Sequence, residues 1–315
     1  VDGIPNKWVN TCYHITFDPT VKGRVWSTWA NKHSLPRKSQ FGDGLFQSDY
    51  YEGGVAFSED GGRTWQKYNN GLPENAICTD LLLDPESPEN ARSLFLNTIN
   101  QGIYRSTDGG KTWLSSDKGL KENRYAWQLR MAGRRIYLLC VRGWKGETVI
   151  DGILYYSDDQ AGSWHVATIP EGVVAPSDLL IDPDDPGHMY LSCWPKHRDE
   201  SDICGGMYET NDSGNTWDQC FDERVRVFAA AFDPLNRQTI FINTFQNGAY
   251  RSDDSGKTWN RITGYRFKWG HCPIPDPNNP GMLYLTTYGV SVYYGPATGT
   301  SDEFGRIENI PDSWW

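Results

Sequence analysis

The sequence has no apolar stretch near the roughly 20 consecutive residues that a membrane-crossing helix needs, so a membrane span is not expected. Its first ten residues lack the basic-then-apolar character of a signal peptide, although a leader already removed would leave no trace. There is no Cys-x-x-Cys pair. The seven cysteines, Cys12, Cys78, Cys140, Cys193, Cys204, Cys220 and Cys272, are too few for a fold that depends on staples, although Cys193 and Cys204 are spaced to close one loop. Positive charge is also short: 30 Lys and Arg against 40 Asp and Glu leave a formal charge of -10, which argues against nucleic acid as a partner. An acidic sugar held by a local basic cluster stays compatible with that balance. No Gly-rich phosphate loop in a strand-helix setting suggests a nucleotide.

What is abundant is aromatic and turn-forming. Aromatic residues make up 14% of the 315 positions, with 14 Trp and 17 Tyr, beside 32 Gly and 18 Pro. This composition describes a folded, turn-rich chain with material for a core. One phrase recurs: a hydroxyl residue, Asp two positions on, Gly four on, a hydroxyl six on and Trp seven on. It runs through residues 58–65, 106–113, 210–217 and 252–259, and a fifth copy at 157–164 places Ala161 where the others place Gly. The tryptophans Trp65, Trp113, Trp164, Trp217 and Trp259 follow one another at 48, 51, 53 and 42 residues. A period in that range indicates stacked or radial supersecondary units.

Each unit reads as four short strands. A first strand ends at a recurring Asp-Pro turn, at Asp18, Asp84, Asp182, Asp233 and Asp276. Second strands follow at 24–28, 93–97, 135–139, 188–192, 239–243 and 282–286, and third strands at 54–58, 102–106, 152–156, 206–210 and 248–252. Their aromatic and β-branched content favours strands over helices. The fourth strand begins at the Trp of each phrase. The expected fold is all-β: a single β-propeller domain over residues 1–315, built of four-stranded antiparallel blades, six by the count of second strands and seven only with a split or missing blade.

The five phrases resemble the Asp boxes, or BNR repeats, of sialidase-like β-propellers. Related repeats occur in sialidases, xyloglucan-active glycosidases, other exo-acting carbohydrate enzymes, sorting receptors and photosystem assembly factors, so the resemblance implies the fold and leaves the reaction open. The sialidase motif Phe/Tyr-Arg-Ile-Pro has no counterpart, since Asp2 and Gly3 precede Ile4 and Pro5. A carbohydrate-active member other than a sialidase is what the resemblance implies. The repeated aspartates Asp60, Asp108, Asp159, Asp212 and Asp254 read as turn-stabilising acceptors, because a reaction needs one asymmetric constellation rather than five equivalent ones.

Strand direction locates function. In a four-stranded antiparallel blade the first and third connections share one end, and the second connection and the interblade link share the other. The Asp-Pro turns and repeated phrases therefore occupy one end, and the unequal insertions the opposite one. There, residues 29–53 supply Trp29, His33, Arg37, Tyr51 and Glu52. A second insertion offers Trp144 ahead of Asp151, and a third Trp194, His197 and Arg198. The interblade links add Trp127, and Trp269 with His271. Glu52, Gln101, Asp151 and Asn247 stand at related positions before the third strands.

The expected activity is cleavage of a glycosidic linkage in a poly- or oligosaccharide by acid-base hydrolysis. Glu52 and Asp151 are the first catalytic pair, and His33 or His271 the alternative acid-base groups. Trp29, Arg37, Tyr51, Trp144, Trp194, His197, Arg198 and Trp269 are the expected substrate contacts. Two alternatives remain: a polysaccharide lyase acting on a uronic-acid-containing glycan, and a noncatalytic propeller binding a glycan or a protein. No cofactor is required, and a structural calcium stays open because aspartates are abundant. The resemblance and a glycan partner point to extracellular or periplasmic residence.

Overall fold

A computed structural model describes residues 2–8, 11–32, 35, 52–99, 101–145, 148–195, 204–263, 265, 269–288 and 292–298. The fold is all-β, a six-bladed β-propeller of mainly four-stranded antiparallel sheets. By Cα proximity the chain divides into two compact units, Val1–Ala167 and Thr168–Trp315.

The first unit carries three blades. Blade 1 holds β1 (Thr11–Phe17), β2 (Val25–Ala30), β3 (Gly53–Ser58) and β4 (Gln66–Lys67). Blade 2 holds β5 (Cys78–Leu83), β6 (Leu94–Thr98), β7 (Gly102–Ser106) and β8 (Leu114–Ser115). Blade 3 is made of β9 (Ala126–Ala132), β10 (Arg135–Cys140), β13 (Ile153–Ser157) and β14 (His165–Val166). Between β10 and β13, at the insertion that carries Trp144, the chain forms a separate hairpin, β11 (Gly143–Lys145) with β12 (Thr148–Ile150).

The second unit carries the other three blades. Blade 4 holds β15 (Pro176–Ile181), β16 (Met189–Cys193), β17 (Gly206–Thr210) and β18 (Asp218–Phe221), and blade 5 holds β19 (Val227–Asp233), β20 (Asn236–Thr244), β21 (Ala249–Ser252) and β22 (Asn260–Arg261). Blade 6 has three strands among the described residues, β23 (Gly270–Pro275), β24 (Met282–Thr287) and β25 (Val292–Pro296).

Apolar side chains fill the spaces between successive blades. Trp26 and Phe57 of blade 1 meet Leu81, Leu94 and Leu96 of blade 2, and Phe95 of blade 2 meets Leu129 and Leu138 of blade 3. In the second unit Tyr190 of blade 4 packs on Val227 and Ile240 of blade 5, and Phe241 of blade 5 on Leu283 and Leu285 of blade 6. Each such large side chain contributes about 1.5–3 kcal/mol on burial. Alternation along the second strands produces this: odd and even positions face opposite neighbours, so both sets are apolar. The seven cysteines are free thiols, Cys193 and Cys204 included.

All six inner strands carry a register shift near their loop-bearing end: at Cys12/His14, Cys78/Asp80, Leu139/Cys140 opposite β9, Pro176/Asp178, Val227/Ala229 and Gly270/Pro273. A β-bulge re-aims the residue it inserts. The inserted side chains are Tyr13, Thr79, Trp127, Ser177 and Phe228, with His271 and Cys272 together in blade 6.

Candidate functional site

The two ends of the blades differ chemically. At one end the Asp-Pro turns and the repeated phrases meet: Gly61 donates its N–H to the Gly23 carbonyl at 2.9 Å, Gly109 to Arg92 at 3.0 Å, Ser213 to Gly187 at 2.9 Å and Ser255 to Gln238 at 2.9 Å. Asp254 shows how each phrase closes. Its Oδ1 accepts from Ser252 Oγ and the Thr258 N–H, each at 2.8 Å, and its Oδ2 from Thr258 Oγ1 at 2.6 Å. The Thr258 hydroxyl and N–H hold the carboxyl down to about 2 against weak desolvation. Asp159 and Asp212 are likewise held at about 2 by the hydroxyls and N–H groups of their own turns. These carboxylates serve the turn, as the sequence suggests.

The following Trp anchors the phrase to the blade before it. Trp113 donates Nε1–H to the Tyr68 carbonyl at 2.8 Å, Trp164 to Ser116 at 2.7 Å and Trp259 to Cys220 at 2.8 Å. The fourth strands begin one residue beyond the Trp.

At the opposite end one backbone bond recurs. The residue just past the second strand donates to the residue that precedes the inner strand: Ile99 to Ile77 and Val141 to Tyr125 in the first unit, then Trp194 to Ala175, Phe245 to Arg226 and Tyr288 to Trp269 in the second. The five donors are equivalent by register. In the first unit they are aliphatic, in the second aromatic.

The second unit therefore gathers rings at this end. Trp194 lies 5.1 Å from Phe245 and 5.8 Å from the bulged Phe228, centroid to centroid. Phe228 lies 4.5 Å from His271 and 5.3 Å from Tyr288, and His271 and Tyr288 are 5.0 Å apart, edge to face. The Arg226 guanidinium stands 6.0 Å from the Trp194 ring. Phe228 and Phe245 are buried, while Trp194, His271 and Tyr288 keep part of their surface exposed. Burial pushes His271 down to about 4, leaving the imidazole neutral at pH 7. Trp269 joins through its backbone: its N–H reaches the Phe245 carbonyl at 2.6 Å and its carbonyl accepts from Tyr288 at 2.9 Å. Its φ is +65°, an unusual conformation for so bulky a side chain.

Of the residues expected from sequence, Trp194, Trp269 and His271 are thus brought together. In the first unit Glu52 lies just before β3, its carbonyl accepting from Asn31 at 2.8 Å and its carboxylate 2.6 Å from Lys7 Nζ. Asp151 is exposed just before β13, and its carbonyl accepts from Asn123 Nδ2 at 2.6 Å. Trp29 donates Nε1–H to Ser27 Oγ at 2.7 Å and packs with Trp8 and Ile4. Trp144 lies in β11, half-buried, its carbonyl accepting from the Tyr125 hydroxyl. Gln101 binds Asn75 of the interblade link at 2.8 Å. His33, Arg37, Tyr51, His197 and Arg198 lie outside the described residues.

Phe228, Phe245, Tyr288 and Arg226 were not singled out from sequence. The aligned second strands held the signal, because Trp194, Phe245 and Tyr288 each stand two residues beyond Ser192, Asn243 and Thr286. Tyr13 and Trp127, bulged positions of blades 1 and 3, also meet edge to face at 6.1 Å. Among the described residues no group of three or more His, Cys, Asp or Glu side chains is arranged to hold a metal, and no helix is long and apolar enough to cross a membrane.

By fold the chain is a β-propeller. The sequence profile described as Sortilin, neurotensin receptor 3, matches residues 101–249. No curated protein matches the chain. Among solved structures the GH74 xyloglucanase from Xanthomonas campestris aligns with a TM-score of 0.66 at 18% identity, over 93% of this chain and 46% of that one. The chain spans about half the length of that enzyme. YCF48 bound to D1 peptide aligns with a TM-score of 0.59 at 12% identity, over 92% of this chain and 80% of that one. Sqt1 from Saccharomyces cerevisiae gives 0.57 at 11% identity, over 91% and 73%. At these identities the likeness is one of fold.

Proposed function

We propose that this chain is a carbohydrate-active propeller that takes a poly- or oligosaccharide at the loop-bearing end of its blades and cleaves a glycosidic linkage. The observation that carries the reading is the row Trp194, Phe245 and Tyr288, equivalent in register and joined through Phe228 and His271. Aromatic faces beside a few polar groups suit the apolar faces of sugar rings. The fold shared with a xyloglucanase supports the same class of substrate. Glu52 and Asp151 are assigned as the acid-base pair, Glu52 being held by Lys7 at the entry of a strand. Burial disfavours the imidazolium of His271, so at pH 7 the ring offers hydrogen bonds to a sugar rather than a charge or a strong base. A glycan outside the cell would be consistent with extracellular or periplasmic residence.

A second reading, a noncatalytic glycan- or protein-binding propeller, is favoured by the match to the sortilin profile over residues 101–249 and by the YCF48 propeller solved with a D1 peptide. Incubating the protein with a panel of plant and bacterial polysaccharides separates the two. New reducing ends that vanish in Glu52→Gln and Asp151→Asn support hydrolysis. Retention on a glycan without products across the panel supports the binding module.

A further inference from the structure

Trp127 differs from the tryptophans that hold the first unit together. Trp26, Trp29, Trp65, Trp113 and Trp164 each donate Nε1–H to a protein acceptor at 2.7–2.9 Å. Trp127 is half-buried in β9, and among the described residues no acceptor meets its indole N–H. A tryptophan that serves only the core buries that donor against a partner. This one offers it outward.

Its position is built. Trp127 and Tyr13 are inserted at the bulges of β9 and β1, and their rings meet at 6.1 Å with an interplanar angle of 76°. Blade 2 packs between blades 1 and 3 and places a small residue, Thr79, at its own bulge. The Thr79 hydroxyl donates to the Ala126 carbonyl at 3.1 Å and so fixes the residue before Trp127. The second unit repeats this bond: Ser177 Oγ donates to the Val227 carbonyl at 2.8 Å, just ahead of Phe228. Phe228 is closed within its ring cluster, whereas Trp127 keeps part of its surface open. Tyr13 is a backing ring, because its hydroxyl is given to the Lys32 carbonyl at 2.7 Å and burial pushes it well above its ordinary value.

The same framework reaches the residues assigned as the acid-base pair. Asn31, next to Lys32, donates its N–H to the Glu52 carbonyl at 2.8 Å. Asn123, on the link that leads into Trp127, donates Nδ2–H to the Asp151 carbonyl at 2.6 Å and accepts the Tyr125 N–H at 2.8 Å. Hydrogen bonds thus tie Glu52 and Asp151 to the two segments that carry the ring pair.

We propose that Trp127 is a sugar platform of the first unit. One pyranose ring of the glycan lies on the indole face, and Nε1–H, which points along the indole plane, donates to a hydroxyl of the adjoining sugar. Tyr13 and Thr79 are its positioning residues. An apolar face with one donor at its edge matches a chain of pyranoses, which presents C–H faces rimmed by hydroxyls. This inference rests on the carbohydrate reading and adds to it a contact made by the first unit, whereas the row Trp194, Phe245 and Tyr288 belongs to the second.

Affinity electrophoresis of the whole chain in gels containing xyloglucan, mixed-linkage β-glucan or galactomannan tests this. Wild type is expected to be retarded by at least one of them. On that polysaccharide Trp127→Ala should be held about tenfold more weakly, and Trp127→Phe, which keeps a ring without the donor, should fall between. Thr79→Val should weaken retention well below its melting temperature, and Thr79→Ser should restore it. A wild type that migrates freely in all three gels would overturn the carbohydrate reading and this contact together. A retarded wild type matched by folded Trp127→Ala would overturn this contact alone. If that variant does not fold, equal retention of wild type and Trp127→Phe has the same consequence.

Discussion

Arg92 of blade 2 holds Asp18 of blade 1 through two parallel bonds, Nε to Oδ2 at 3.0 Å and Nη2 to Oδ1 at 2.7 Å, with both side chains almost wholly buried. Thr20 and Val21 donate further N–H bonds to the same carboxylate, each at 3.1 Å. Desolvation of Asp18 is outweighed by these bonds, so the carboxyl is held far below its ordinary range. Removing one member strands a buried charge. Arg92→Leu should destabilise the protein by about 3–5 kcal/mol, read from urea unfolding at pH 7. A loss below about 1 kcal/mol would show that the pair does not fasten these blades.

His188 gives the second unit a pH-dependent fastening. Its Nε2 stands 2.8 Å from Glu209 Oε1 and its Nδ1 3.4 Å from Asp182 Oδ2, with the Tyr190 hydroxyl 3.0 Å away. The Glu209 hydrogen bond first, and Asp182 after it, raise the imidazole above its ordinary value despite partial burial. A raised folded-state value contributes stability that is complete below about pH 6.5 and is lost as pH rises through that value. The melting temperature of the wild type should therefore fall over this interval more than that of His188→Gln. Parallel profiles would remove the imidazolium from the account.

The repeated turns carry the opposite sign. Asp159, Asp212 and Asp254 are held at about 2 in the folded protein, so their contribution is present above about pH 4 and disappears as pH falls toward 2. Asp254→Asn is expected to melt lower at pH 7 and to show a shallower loss between pH 4 and 2. A variant with the wild-type acid profile would contradict this.

For the aromatic row, Trp194→Ala and Tyr288→Ala should each weaken glycan retention about tenfold, since stacked aromatic contacts carry about 0.5–1.5 kcal/mol beyond their buried area. Affinity electrophoresis on the polysaccharide that binds wild type measures it. Trp269→Gly separates backbone from indole: glycine accepts a φ of +65° without strain, so folding should survive and any lost retention reports the ring.

The blades were legible because second strands alternate over five or six residues and end near a repeated turn. Their far ends were not. The sequence reading closes a strand at Asn243, whereas β20 runs to Thr244 and Phe245 follows as the ring of the site. Phe228 was invisible for another reason: an inserted residue breaks the two-residue alternation, so period-based reasoning gives its side chain the wrong face. Trp194 and His271 were found because polar loops or basic links flank them.

The phrase that closes at Asp254 binds its own carboxylate, its own hydroxyls and a tryptophan seated on the preceding sheet. None of those fastenings reaches across to Gln246 and Asn247. The connection there can be exchanged, so a library randomised at these two positions, with Phe245 and Gly248 kept, should keep its cooperative melting while its ligand preferences diverge.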